Sequence, residues 1–231
     1  MARAGLICVS VAADDAAGII AAVLSVVDLV DIVEIRLDGM KDPEIELCFA
    51  AIPRPVLVTN RPTWEGGQYA GGEQDRIDRL CKAVQCGARF VDIELRTGTE
   101  LRAQVQQEAR KHGAQVVISS HDFTGTPSRA DLLATLRLMI ASGADIGKIV
   151  TTATTAEEAV RILSLQQEAI ASSFPLSAFA MGTAGKISRL ATLYLGGFMT
   201  YAAITAQQAT APGQLSVRDL HSLISLLDHS A

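Results

Sequence analysis

Eight short, β-rich apolar runs recur along this 231-residue chain, each followed by a stretch of helical period. That alternation restricts the fold more than any other feature. The runs are 6–12, 31–38, 55–61, 90–95, 114–123, 145–153, 176–181 and 200–206. Between them, Ile77, Leu80, Cys81 and Val84 fall on one helical face, as do Leu132, Leu133, Leu136, Met139 and Ile140. Ser128 with Asp131, Thr155 with Glu158 and Ser216 with Asp219 are placed as helix starts, and Gly87, Gly113 and Gly143 as helix stops. The second helix, within 42–52, is short and poorly patterned. Eight such units in this length predict an α/β protein, a (β/α)8 TIM barrel forming a single domain over 1–231. The rival, a doubly wound nucleotide-binding sheet, would want GxGxxG after the first strand, and "SVAADDAAG" does not supply it.

Composition narrows the function classes. At 49% apolar residues the chain can build a sizeable core, and a net charge of −5 gives no basic surface for nucleic acid or an anionic membrane. No run approaches the ~18 apolar residues of a membrane span. Arg3 before "AGLICVSVAA" has the look of a signal peptide, but the apolar stretch is short and Asp14 and Asp15 follow at once, as in a first core strand. Cys8, Cys48, Cys81 and Cys86 form no CxxC pair and no zinc spacing, so reduced thiols in a soluble, cytoplasmic protein are expected, with no metal.

The polar residues gather at one end of the units. Glu34, Arg36 and Asp38 alternate with Ile35 and Leu37, so they share a face. Arg61 and Glu65 follow the third run; His121 and Asp122 end the fifth. Lys148 lies in the sixth, Arg189 after the seventh, and "TAPGQ" after the eighth. In a parallel barrel this end is the catalytic mouth. Each residue also has a plain structural reading. Lys148 can snorkel to solvent, His121 can be a hydrogen-bonded structural histidine, and Arg36 with Asp38 can be an ion pair. Asp92 and Glu94 can be interior polar residues. His112, His221 and His229 sit near helix ends and are expected in solvent. "MGTAG" can cradle a phosphate or simply turn the chain.

If Lys148 is interior, burial and arginine neighbours favour the neutral amine, which attacks a carbonyl to form an imine. The protonated imine acidifies the adjacent carbon, and His121 is suited to take that proton, with Glu65 or Asp122 fixing its tautomer. Arginines suit a carboxylate-bearing substrate. The result is elimination or aldol chemistry on a ketone-containing hydroxy acid; the residues alone do not separate the two.

The stretches "VEIRLDGM" (33–40), "TNRPTWEGG" (59–67), "SSHDFTGTP" (119–127), "GADIGKI" (143–149), "MGTAGKISR" (181–189) and "APGQL" (211–215) resemble, in order and spacing, the type I 3-dehydroquinate dehydratase family. The resemblance implies a barrel that converts 3-dehydroquinate to 3-dehydroshikimate in the shikimate pathway of aromatic amino-acid biosynthesis. It implies no metal or organic cofactor, and a homodimer. By position, Lys148 resembles the Schiff-base lysine, His121 the general acid/base and Glu65 the residue orienting it. Glu34, Arg36, Arg61, Arg189, Thr210 and Gln214 resemble substrate-binding residues, Arg189 near the carboxylate, with the "APGQ" loop as part of a lid. The chain departs from the pattern at Thr210, where serine is expected, at Gly197 of Gly196–Gly197, where Gly-Ser is common, and in "IVTTATT", which lacks a proline. No fused shikimate dehydrogenase domain is expected. A class I aldolase-type Schiff-base barrel, a non-catalytic metabolite-sensing relative and a structural barrel are the competing readings.

Overall fold

The computed structural model describes residues 5–41 and 45–228; Arg3, the start of the second helical segment and His229 lie outside them. The eight strands are β1 (Leu6–Val11), β2 (Ile32–Arg36), β3 (Val56–Thr59), β4 (Phe90–Glu94), β5 (Gln115–His121), β6 (Ile146–Thr152), β7 (Leu176–Met181) and β8 (Met199–Ala203). Their order is β7-β6-β5-β4-β3-β2-β1-β8, and every pair is parallel. At the seam, Phe198 N donates to Leu176 O at 2.9 Å and Met199 N donates to Ser177 Oγ at 3.2 Å. A side chain thus completes part of the nearly closed (β/α)8 barrel that the alternating runs predict.

The helices are α1 (Ala16–Leu24), α2 (Ile45–Ala51), α3 (Glu73–Gln85), α4 (Thr99–His112), α5 (Arg129–Ala141), α6 (Ala156–Leu163), α7 (Leu165–Ala171), α8 (Lys186–Tyr194) and α9 (Val217–Asp228). Their start signals act as expected. Ser128 caps α5, Asp219 N donates to Ser216 Oγ at 3.1 Å ahead of α9, and Thr155 with Glu158 forms a full capping box on α6. Gly87, Gly113 and Gly143 follow α3, α4 and α5 with φ of 111°, 70° and 76°, the left-handed stop that glycine adopts most cheaply.

Most strands are apolar on both faces near their start, because helices cover the outside and side chains fill the inside. Val56, Val58, Val116 and Ile118 point to the helices, whereas Leu57, Val117, Phe90, Ile146 and Met199 fill the barrel. The period of two then carries polar side chains onto the same inward line, one step nearer the mouth. Ile32 leads to Glu34, Phe90 to Asp92 and Glu94, Val117 to Ser119 and His121, and Ile146 to Lys148. The apolar layer below is the floor of the site.

Candidate active site

Lys148 is inside. It is 5% exposed, with Nζ 3.1 Å from Asp92 Oδ2, 3.6 Å from Glu34 Oε1 and 4.0 Å from the centre of the Tyr201 ring. The sequence leads to arginines against this amine; the structure puts a carboxylate between. Asp92 takes Lys148 on one oxygen and Arg61 on the other, at 2.8 Å. Although burial opposes its ionisation, Arg61 and Lys148 hold the Asp92 carboxyl well below the usual range.

Arg61 is fully engaged. Its Nη1 donates to Glu94 at 2.6 Å and to Ser119 Oγ at 2.7 Å. Glu94 in turn accepts from Arg76 at 2.6 Å; Arg76, wholly buried on α3, also donates to Thr97 at 2.9 Å and to Glu73 at 2.9 Å. Alternating charges therefore run from Lys148 through Asp92, Arg61, Glu94 and Arg76 to the surface carboxylate of Glu73. Such a chain tolerates burial because every charge has an opposite neighbour. Glu34 is held by donation from the Ser10 hydroxyl and from Thr59 Oγ1 at 2.8 Å.

Arg36 and Asp38 form a two-bond ion pair, at 2.8 and 2.6 Å. Asp38 also accepts from the backbone N–H of Arg61 and of Gln68, each at 3.1 Å. The pair thus pins both ends of the loop that carries Glu65. Within that loop a 3-10 turn over Thr63–Glu65 closes on Gly66, whose φ is 75°. A Cβ on Gly66 would lie 2.2 Å from the Phe123 ring, and one on Gly67 would lie 2.0 Å from Arg61 O. Both glycines are therefore needed for this close approach.

The turn aims Glu65 at His121, whose backbone N–H donates to Glu65 Oε1 at 3.0 Å and whose Nδ1 lies 3.1 Å from the same oxygen. Phe123 stacks on the imidazole, with ring centres 6.1 Å apart. Asp122, the other candidate for orienting His121, instead accepts from Thr124 and Gly125 in its own loop. Burial, then Arg61 and Lys148, push His121 well below the ordinary histidine value, so its ring is neutral at neutral pH. Burial, with Glu94 and Asp92 adding and Arg61 opposing, raises Glu65 to about 7.

Arg189 on α8 is buried, and among the described residues it has no carboxylate partner. Its guanidinium lies 4.8 Å from the centre of the Phe179 ring, Nη2 is 3.4 Å from Pro212 O, and Nε is unpartnered. Burial lowers it to about 10, still a cation at neutral pH. Over the mouth, the Thr210 N–H donates to Gln214 Oε1 at 2.8 Å.

One pocket of about 540 Å³, open solvent included, is lined by Glu34, Arg36, Arg61, Glu65, His121, Lys148, Arg189, Thr210 and Gln214 together. Its apolar wall is Phe123, Val150, Phe179, Met181 and Tyr201. The residues that the family resemblance assigns to catalysis and substrate binding are thus brought to one cavity, whereas Asp38, Asp92, Glu94 and Asp122 do not line it. Arg76, Ser119, Phe179 and Tyr201 are among the site residues that the sequence did not single out. Among the described residues no group of three or more His, Cys, Asp or Glu is arranged to hold a metal ion, and no helix is long and apolar enough to cross a membrane. Cys8, Cys48 and Cys81 are buried free thiols; His112 and His221 are exposed. At "MGTAG" the glycines serve the turn: a Cβ on Gly185 would lie 2.3 Å from Met181 O. Gly197 fits likewise, since a Cβ there would lie 2.2 Å from Thr192 Oγ1, leaving no room for the expected serine.

Fold and pocket define a (β/α)8-barrel enzyme class that presents an amine, an imidazole and an unpaired guanidinium at the mouth of the barrel. Comparison narrows the class to a family. The family model for type I 3-dehydroquinase matches residues 7–231. The 3-dehydroquinate dehydratase of Desulfotalea psychrophila is 38% identical over 195 residues, 84% of this chain and 86% of that one. That of Methanocaldococcus jannaschii is 30% identical over 96% of this chain and 99% of its own. The crystal structure of the type I enzyme from Clostridium difficile with covalently modified comenic acid superposes with a TM-score of 0.90 at 28% identity, over 100% of this chain and 94% of that one. The chain belongs to the type I 3-dehydroquinase family, and is by class a hydro-lyase.

Proposed function

We propose that this protein removes water from 3-dehydroquinate to give 3-dehydroshikimate through an imine on Lys148. The observation that carries the proposal is one pocket holding Lys148, the His121–Glu65 pair and an Arg189 with no carboxylate partner among the described residues. Arg189 receives the substrate carboxylate, helped by Thr210 and Gln214 from the loop above. Glu34 and Arg36 take ring hydroxyls, and Arg61 acts by holding Asp92 and Glu94 in place.

Lys148 gives up an ammonium proton, its free nitrogen adds to the ketone carbon, and the ketone oxygen leaves as water with two of the three ammonium protons as the protonated imine forms. Neutral His121, one strand away and two residues nearer the mouth, is the proton acceptor. With Nδ1 held by Glu65, its Nε2 takes a proton from the carbon beside the imine, and the electron pair forms an enamine. The enamine expels the β-hydroxyl, which leaves as water with the proton returned by His121. Water then adds to the imine carbon and releases the enone and the amine. The Clostridium difficile relative carries a covalently modified ligand, as this chemistry would lead one to expect.

The reading includes the whole chain 1–231 as one catalytic domain, a cytoplasmic location, a homodimer and a lid role for the "APGQ" loop. Purified protein mixed with 3-dehydroquinate should generate the ultraviolet absorbance of a conjugated enone. A folded protein that binds 3-dehydroquinate without generating that absorbance is a sensor, and the proposal fails.

A further inference from the structure

A buried guanidinium that must receive a substrate carboxylate has a positioning problem. A protein carboxylate would hold it firmly but would occupy the donors that the substrate needs. Arg189 has no such partner among the described residues, and yet it is 2% exposed. Its one protein hydrogen bond among those residues is the long 3.4 Å contact to Pro212 O, and its Nε is buried and unpartnered. Its Cζ lies over the face of the Phe179 ring, 4.8 Å from the ring centre. An aromatic face attracts a cation through its quadrupole and accepts none of its in-plane N–H bonds.

Phe179 does not stand alone. Its ring centre is 5.8 Å from that of Tyr201 at 45°, a packed tilted pair. Tyr201 carries Lys148 Nζ at 4.0 Å over its own face. Two of the pocket's basic groups, the Lys148 amine and the Arg189 guanidinium, therefore rest on two rings that touch each other. The rings come from β7 and β8, the strands that meet at the seam of the barrel, so both sit on strands rather than on loops.

We infer that Phe179, braced by Tyr201, is a positioning residue that orients Arg189 through its ring face, keeping the guanidinium donors open for a carboxylate on a six-membered-ring substrate. The inference rests on the dehydratase reading for the identity of the substrate, and its test does not need turnover. Phenylalanine at 179 is replaced by mono-, di- and trifluorophenylalanine, which barely change the ring's shape and progressively weaken the negative charge of its face. Calorimetry then gives Kd for quinate, a ring carboxylate without the ketone, and for its neutral carboxamide. Kd for quinate should rise stepwise by about three- to thirtyfold across the series, while Kd for the carboxamide stays flat. With 3-dehydroquinate the same series should raise KM and leave kcat within about twofold. A flat quinate series, or equal losses for acid and amide, overturns the inference: the ring would then be only an apolar wall. Wild-type protein that binds quinate but never turns over 3-dehydroquinate would overturn the dehydratase reading instead, and leave the fluorination trend to decide the role of Phe179.

Discussion

Arg76→Met removes one link of the buried charge chain without touching a residue that meets substrate. The arginine is 0% exposed, and it gives up bonds of 2.6 Å to Glu94, 2.9 Å to Thr97 and 2.9 Å to Glu73. Glu94, also 0% exposed, keeps Arg61 as its one cationic partner among the described residues. Truncating one side of a buried pair typically costs about 3–5 kcal/mol, because the stranded charge loses its compensation and cannot regain water. Glu94 retains half its pairing, so about 3 kcal/mol is the expected loss. For a chain of this length 1 kcal/mol shifts Tm by roughly 2–4 °C, which predicts a fall of about 6–12 °C by circular dichroism. Below that transition kcat/KM should also drop, since a displaced Glu94 lets Arg61 and then Asp92 shift beneath Lys148. Arg76→Lys should fall between wild type and Met, keeping the charge but losing the planar fork. A Met variant melting within about 2 °C of wild type would refute the view that this chain of charges holds the floor of the site.

Three further outcomes follow from the geometry. His121→Ala should still form the imine but lose about 10²–10⁴-fold in kcat; an unchanged kcat would identify another base. Arg189→Ala should raise KM by about two orders of magnitude, as expected for a lost charge-assisted carboxylate contact, and an unaltered KM would place the carboxylate elsewhere. Glu65→Gln tests the pH account. With a folded value of about 7 against an ordinary 4.5, Glu65 binds more protons folded than unfolded between those values, so stability falls as pH rises through that window. The Gln variant should lose that slope and any titration of kcat/KM near pH 7. The limb set by His121, which lies well below its usual value, should remain at lower pH; an identical pH profile in both proteins would contradict the assignment.

The barrel was legible because most strands are short apolar runs, and α5, α6 and α9 begin at capping residues visible in the sequence. Strand ends were less so. The run 31–38 overreaches because the chain turns into a 3-10 segment at Leu37–Gly39, where Asp38 bends back to Arg36 and to the loop after β3. The run 200–206 begins a residue late and ends three late, since Ile204 and Thr205 already leave β8. The pocket residues were legible as polar groups in strand ends, but their partners were not. Nothing local marks Arg76: it sits beside Ile77 on an amphipathic helix, and only closure of the barrel brings it to Glu94. The residues alone leave both Glu65 and Asp122 to orient His121, the family resemblance points to Glu65, and the turn closing on Gly66 sets Glu65 against the imidazole. Lys148 was read among arginines, whereas Asp92 and Glu34 are its neighbours, because the inward line of β4 and β2 reaches it first.

The central claim is that Lys148 is the nucleophile. Incubating the protein with 3-dehydroquinate, reducing with borohydride and mapping the product by mass spectrometry tests it most directly. The account predicts a stable adduct on Lys148, absent from Lys148→Ala. A folded, active protein that yields no adduct, or one whose adduct maps to another lysine, would contradict it.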